Sequence, residues 1–337
     1  MNSEYKKRLI SIVLSINILA TGSLMSGCEF NNNKTTEDVP VSSSSAILDY
    51  NDLNNILSKV DGFVHILNYK EENNYYVGTF KNDNDVIYKL IDKYGNILED
   101  DYIDVNIVND NKVNKDPYYN YYQYIPHRTT SYLNNSVYNA YLDQYGVSDE
   151  SVLYNQADLF FKIQNKYSIN ATMMYALALN ESGLGLSQYA LEYHNLFGHA
   201  AIDENPDNAN QYSSLAECVK QHAYNFLQQG YLNPNDSRYH GSWFGDKASG
   251  INVNYASDPY WGEKAASFYY HLDEGGIDQE KNPIKTIRLS KDLKVYAPNK
   301  KDVLYTYKKG NIVSIHILKN EIGYYKISSE APVKDND

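Results

Sequence analysis

Glu181 is the residue in this chain best placed to move a proton. It closes an apolar run, Ser168-Ile-Asn-Ala-Thr-Met-Met-Tyr-Ala-Leu-Ala-Leu-Asn180, that is hydrophobic nearly all round and so predicts a helix buried in a large core. Where that helix should surface stand Asn180, Glu181, Ser182, Gly183, Leu184 and Gly185. A helix C-terminus carries partial negative charge and a half-buried site disfavours ionisation, so both push a carboxyl toward its protonated form. A protonated carboxyl is what a general acid needs to protonate the leaving oxygen of a glycosidic bond. The two glycines permit a tight turn and leave space beside the carboxyl. An exposed helix-end Glu followed by a Gly cap accounts for the same six residues equally well.

Two further clusters follow. One is His194-Asn-Leu-Phe-Gly198, with Asp203, Glu204 and Asp207 just beyond; the other runs from Gly245 to Lys264 and contains Tyr255-Ala-Ser-Asp-Pro-Tyr-Trp261. A glycosidase that inverts needs a second acid about 6.5–9.5 Å from the first, and one that retains needs a nucleophile at about 5–5.5 Å. Glu192 is the other acid near Glu181 in sequence, and the acids at 203, 204 and 207 are the next candidates; a solvated acidic loop explains all three as simply. Trp261 reads first as a core residue and Asp258 as a helix N-cap. No metal is expected, because His194, His199, His222 and His240 lack the i, i+4 spacing and carboxylate partner of a zinc helix. No phosphate loop and no nucleophilic Ser motif is present, so no cofactor is expected.

The elements that must carry these residues divide the chain by period. At 337 residues the chain exceeds one typical domain. Its net charge of −12 argues against a nucleic-acid partner, since phosphate binding needs basic surface. Lys6, Lys7 and Arg8 precede an apolar stretch, Leu9 to Ala20, too short for a membrane span, and Leu24-Met-Ser-Gly-Cys28 follows. This looks like a lipoprotein signal over residues 1–27 with lipidation at Cys28, although Met25 stands where Leu, Val or Ile is usual; an ordinary export signal with a stray Cys is the alternative. The remaining cysteine, Cys218, then has no disulfide partner and reads as a buried small hydrophobe. Residues 28–45 are polar and read as a flexible tether.

Short apolar runs at 63–67, 75–80, 86–91 and 103–108 predict a small, mainly β domain over 46–115, with a short helix at 50–60. A Tyr-rich connector, 116–130, leads to helical periodicity over 131–276, including a closing helix from Trp261 to Leu272. From 284 to 330 the period returns to strands, at 286–289, 294–296, 303–307, 312–318 and 323–327, which predicts a small barrel.

Taken together, Glu181-Ser-Gly-Leu-Gly185, Asn195-Leu-Phe-Gly198 and the run from Lys247 to Lys264 resemble glycoside hydrolase family 73, the endo-β-N-acetylglucosaminidases of Gram-positive cell walls. The resemblance covers the α-rich part and begins near Tyr124-Ile-Pro-His-Arg128. It implies a lysozyme-like α+β domain, with Glu181 as general acid and peptidoglycan glycan strands as partner. The bond implied is the β-1,4 link from N-acetylglucosamine to N-acetylmuramic acid. It further implies catalytic roles for Tyr255 and Asp203, and substrate-binding roles for Asn195, Phe197, Glu204 and Tyr260, with Asn195 and Phe197 also shaping the loop behind Glu181. The second catalytic group stays open: an acid of the 203–207 loop, or the substrate's own 2-acetamido oxygen. The last strands resemble a bacterial SH3-like module. The expectation is therefore a multidomain, monomeric, lipid-anchored protein facing the cell wall, its catalytic domain flanked by a mainly-β N-terminal domain and an SH3-like barrel. A muramidase or lytic transglycosylase on the same fold is one rival, and a non-catalytic wall-binding lipoprotein is the other.

Overall fold

The structure, a computed structural model, describes residues 45–49, 64–71, 74–80, 86–92, 97–102, 117–199, 210–245, 249–256, 261–289 and 291–333. Cys28 and the helix expected at 50–60 lie outside them, as does the strand expected at 103–108.

The first strand, β1 (Ser45–Asp49), does not pair with the strands that follow it in sequence. Those strands, β2 (Val64–Glu71), β3 (Asn74–Phe80), β4 (Val86–Asp92) and β5 (Ile97–Tyr102), form their own antiparallel meander in sequence order. The C-terminal strands are β6 (Ile284–Arg288), β7 (Leu293–Tyr296), β8 (Val303–Tyr307), β9 (Ile312–Glu321) and β10 (Tyr324–Ser328). They close around β1 in the order β6-β9-β10-β1-β7-β8. Here β1 runs antiparallel to β10 from Ser45↔Ser328 to Asp49↔Tyr324, and also meets β7 at Ile47↔Tyr296. The expected boundary at residue 46 therefore cuts through a strand of the C-terminal module, which has six strands rather than five. Apolar pairing explains the placement: Ala46 and Leu48 are fully buried among Leu293, Val295, Ile315 and Ile327.

Between the two β regions the described elements are all helical, and the strands of an α+β domain are not among them. They are α1 (Pro117–Tyr124), α2 (Asn135–Tyr145), α3 (Ala157–Tyr167), α4 (Ala171–Ser182) and α5 (Gln188–Tyr193). Next come α6 (Leu215–Gln221) with its wide π-type continuation His222–Tyr231, then α7 (Asn252–Tyr255), α8 (Trp261–Leu272) and α9 (Ile277–Lys281). Helix α1 lies in the stretch read as a connector. Pro117 opens it, in the one helical position where a missing N–H costs nothing.

Helix α4 is the centre of the domain, and every residue from Ala171 to Asn180 is buried. Asn170 fixes its start: Oδ1 accepts the Met173 N–H at 2.9 Å, while Nδ2 donates to Thr129 Oγ1 and to Tyr269 Oη. Helices α3 and α8 pack against α4, and α1 packs on α8, where Tyr122 and Tyr269 meet edge to face at 5.1 Å.

Two side chains of the helical domain enter the core of the C-terminal module. Tyr124 and Trp243, both fully buried, belong to the helical domain by sequence but sit in the apolar cluster of the β module. Truncating a Trp so enclosed costs about 3–5 kcal/mol, so the contact is part of folding rather than a loose docking. Beside it lies Glu330, 2% exposed. Ser242 Oγ donates to its Oε1 at 2.5 Å, Tyr239 Oη donates to its Oε2, and the Arg128 guanidinium is close enough to favour its charge.

Candidate active site

The turn after α4 is built to release Glu181 from a buried helix. Gly183, Leu184 and Gly185 all take left-handed backbone angles, with φ of 59°, 65° and 77°. That costs little for glycine but about 1 kcal/mol or more for Leu184. The turn is held by Ser182, whose Oγ donates to the Ala178 carbonyl at 2.5 Å and accepts the Gly185 N–H at 2.8 Å. Ser151 Oγ donates to the Leu184 carbonyl at 2.6 Å, and a Cβ at position 185 would come within 2.6 Å of that same oxygen. Gly185 is thus required by close packing as well as by its angle.

So placed, Glu181 is half-buried. Its Oε1 accepts the indole N–H of Trp261 at 2.5 Å and the side-chain amide of Asn180 at 3.3 Å. Its Oε2 faces Gly198, where a Cβ would sit 3.8 Å away. Trp261, which the sequence reading assigned to the core, also touches the candidate acid. It is indeed 2% exposed, yet its one polar atom points at the carboxylate. The available signal was chemical: a buried indole N–H needs an acceptor.

Tyr255 lies over the other face of Trp261, with ring centroids 4.6 Å apart and planes at 31°, and it touches Tyr231 at 5.2 Å. Burial, and secondarily the neighbouring Glu181 charge, raise its pKa well above the ordinary phenol value. Tyr255 is therefore a neutral hydroxyl at any physiological pH. The structure brings Glu181, Tyr255 and Trp261 together, from the ends of three different helices.

The loop opposite, Asn195–His199, is held from behind. Asn195 is 1% exposed; its Nδ2 donates to the carbonyls of His199 and Asn210, and its Oδ1 accepts the His199 N–H. Phe197 is 2% exposed and stacks on His222 at 3.7 Å, with the ring planes 8° apart. His199 stacks on Phe226 at 3.9 Å, and its Nε2 lies 2.9 Å from His222 Nδ1. Burial pushes His199 down to about 3, so this imidazole is neutral. Asn195 and Phe197, expected to bind substrate and to shape the loop behind Glu181, spend their polar and aromatic faces inside the protein.

Asp203, Glu204 and Tyr260 lie outside the described residues, as do Asp207 and Asp258. Among the described residues no group of three or more His, Cys, Asp or Glu converges as a metal site, and no helix is long and apolar enough to cross a membrane. Cys218 is buried, its Sγ accepts the Leu196 N–H at 3.4 Å, and burial pushes its thiol up to about 12. It supports the loop as packing.

Residues 157–274 match the family described as Glucosaminidase, mannosyl-glycoprotein endo-beta-N-acetylglucosaminidase. Two proteins from two strains of Streptococcus pneumoniae, named for endo-beta-N-acetylglucosaminidase activity, are each 35% identical over 133 residues. That stretch is 39% of this chain, which spans only 19% and 18% of the two relatives. Among solved structures, S. aureus autolysin E is similar at 21% identity, with a TM-score of 0.35 over 47% of this chain and 73% of that one. A major bifunctional autolysin is similar at 24% identity, with a TM-score of 0.32 over 47% and 71%.

Proposed function

We propose, on the premise that residues 157–274 match the glucosaminidase family, that the chain hydrolyses peptidoglycan. The bond cut is the β-1,4 link between N-acetylglucosamine and N-acetylmuramic acid, with Glu181 as the general acid. The observation that carries this reading is a half-buried carboxylate at the end of a buried helix, gripped on one oxygen by the Trp261 indole and flanked by Tyr255. Such a carboxyl can hand a proton to the leaving oxygen as the C1–O bond breaks. Tyr255, fixed as a neutral hydroxyl, offers a hydrogen bond without competing for that proton. The opposite face of the sugar is served by the substrate's own 2-acetamido oxygen, oriented by an acid of the 203–207 loop or with that acid activating water. Cys28 carries a lipid that holds the protein outside the cytoplasm, where a monomer meets glycan strands, and the C-terminal SH3-like module rests on the wall.

Digestion of purified cell walls followed by mass spectrometry of the reduced products tests the assignment. Reducing-end N-acetylglucosamine is expected. Reducing-end N-acetylmuramic acid would make the enzyme a muramidase, and anhydro products a lytic transglycosylase. Glu181→Gln is expected to lower the rate at least about a hundredfold, on the scale of general acid catalysis. Wall binding with no soluble products from the wild type would leave a binding protein in place of an enzyme.

A further inference from the structure

We propose that the tip of the β9–β10 hairpin docks the protein on a membrane surface rich in anionic phospholipid. Ile322 enters the apolar boundary there, and the lysines around it meet the phosphates. The inference depends neither on Glu181 nor on a lipid at Cys28. Glu321 pairs with Tyr324 across the tip, so Ile322 and Gly323 form a two-residue turn. Gly323 has a φ of 79°, the left-handed angle that such a turn takes at its second position. Nothing in the turn calls for an apolar residue at the first, where polar side chains are usual. Ile322 is nevertheless 101% exposed, so folding gains nothing from it by burial. Leu318, the residue bulged out of register between Ile317 and Lys319, is 46% exposed. Beside it Ile284, Ile317 and Tyr325 line a hollow together with Lys285 and Lys319. An apolar tip next to an apolar hollow is a patch and not a scattered surface residue.

The charge around the tip has the sign that such a surface needs. Residues 284–330 carry 10 Lys or Arg against 4 Asp or Glu, whereas the whole chain carries 30 against 42. Lys319 and Lys326 stand directly opposite each other on β9 and β10. Like charges so paired destabilise a hairpin, and among the described residues no carboxylate lies within 4 Å of either amine to offset them. Glu321 is the one acid in the hairpin. Lys300, at a φ of 62°, holds its amine 4.1 Å from the centre of the Tyr324 ring, which brings a third cation to the same end of the strand. Phosphate headgroups relieve that repulsion, and each lysine near an anionic surface strengthens attachment about fivefold. A soluble polyphosphate chain would satisfy the lysines equally well but would leave Ile322 in water. The apolar tip is what selects a membrane. This gives one end of the module to the membrane and leaves its other faces for the wall.

The chain from residue 28 onward keeps every described element and, with Cys28→Ser, carries no lipid. It is expected to cosediment with vesicles of equimolar phosphatidylcholine and phosphatidylglycerol and to ignore vesicles of phosphatidylcholine alone. Raising salt from about 0.1 to 1 M, which shortens the screening length from about 10 to 3 Å, should release it. Lys319→Ala and Lys326→Ala should each weaken binding about fivefold, and Ile322→Ser about tenfold through the lost apolar contact. None of the three should lower the melting temperature, because Ile322 is exposed and the two lysines repel each other. Cys218 is buried, so Ile322→Cys in this background carries a polarity-sensitive fluorophore at the tip alone. Its emission should shift to the blue on the anionic vesicles. Equal binding to both kinds of vesicle overturns the inference, as do variants that bind like the parent or a tip fluorophore that stays in water on bound protein. Binding to a soluble glycerol phosphate polymer without binding to vesicles also overturns it, and makes the lysines a polymer site instead.

Discussion

Glu330 and Glu181 are both held by hydrogen bonds to side chains, but in very different settings. Glu330 lies at the junction of the helical domain and the β module, 2% exposed, with a hydroxyl on each oxygen and Arg128 nearby. Its burial raises its pKa above the ordinary carboxylate range. Glu181 is half-buried, and the indole and amide donors both go to one oxygen, with the other turned to Gly198. Symmetric donation in an enclosed site makes a fastener. A carboxyl only half-buried, at the edge of a loop, makes a group that a substrate can reach. Burial and hydrogen bonding do not by themselves mark a catalytic acid; access from the surface matters as well.

Substitution should separate the two roles. Glu181→Gln keeps an acceptor for the Trp261 indole, so the rate should collapse by about a hundredfold or more while the melting temperature stays near that of the wild type. Glu330→Ala should do the reverse. Removing one member of a buried charged network costs about 3–5 kcal/mol, read as a lower denaturant midpoint, while kcat of the folded fraction is retained. Equal losses of activity and stability in both variants would erase the distinction.

Acid sharpens it further. Burial pushes His127 and His199 down to about 3 from 6.5. A lowered imidazole contributes stability that is complete above about 6.5 and is lost as pH falls toward 3, because the unfolded chain takes up protons that the folded one refuses. Each of the two should cost about 2 kcal/mol by pH 5. Glu330, with its pKa raised, has the opposite sign: its contribution is lost as pH rises through the window above 4.5. Thermal melts between pH 7 and pH 5 should therefore fall in the wild type, and fall more steeply in Glu330→Ala; flat melts would contradict both buried imidazoles. The smallest expected effect is at Gly198, where φ is 64°. Gly198→Ala should cost about 1 kcal/mol in stability and bring a methyl to within 3.8 Å of Glu181 Oε2, lowering kcat/KM a few-fold, as measured on soluble glycan fragments.

How much of this was legible beforehand depends on how local the cause was. The buried helix and its Gly-flanked carboxylate could be read because apolar patterning and turn chemistry act over a few residues. The C-terminal strands were found for the same reason. Trp261 was read as core because the periodicity of α8 says only that the residue is inside. The partner of its N–H comes from a helix 80 positions earlier. Asn195 and Phe197 stand in a loop motif that resembles a substrate loop, yet the His199 and His222 rings that absorb Phe197 come together only in the folded state. Helix α1 was taken for a connector because Pro117 was weighed as a breaker and not as a first helical residue. Strand β1 could not be placed at all: five residues carry no information about a partner 283 positions away.

That strand has a mechanical consequence. Tension that reaches Ser45 from the N-terminal side runs lengthwise down β1. There the backbone bonds to β10 and the contact with β7 bear it side by side, in shear, rather than opening one after another. A leash attached upstream of residue 45 therefore pulls on the β module, and the helix that presents Glu181 stays out of the line of force.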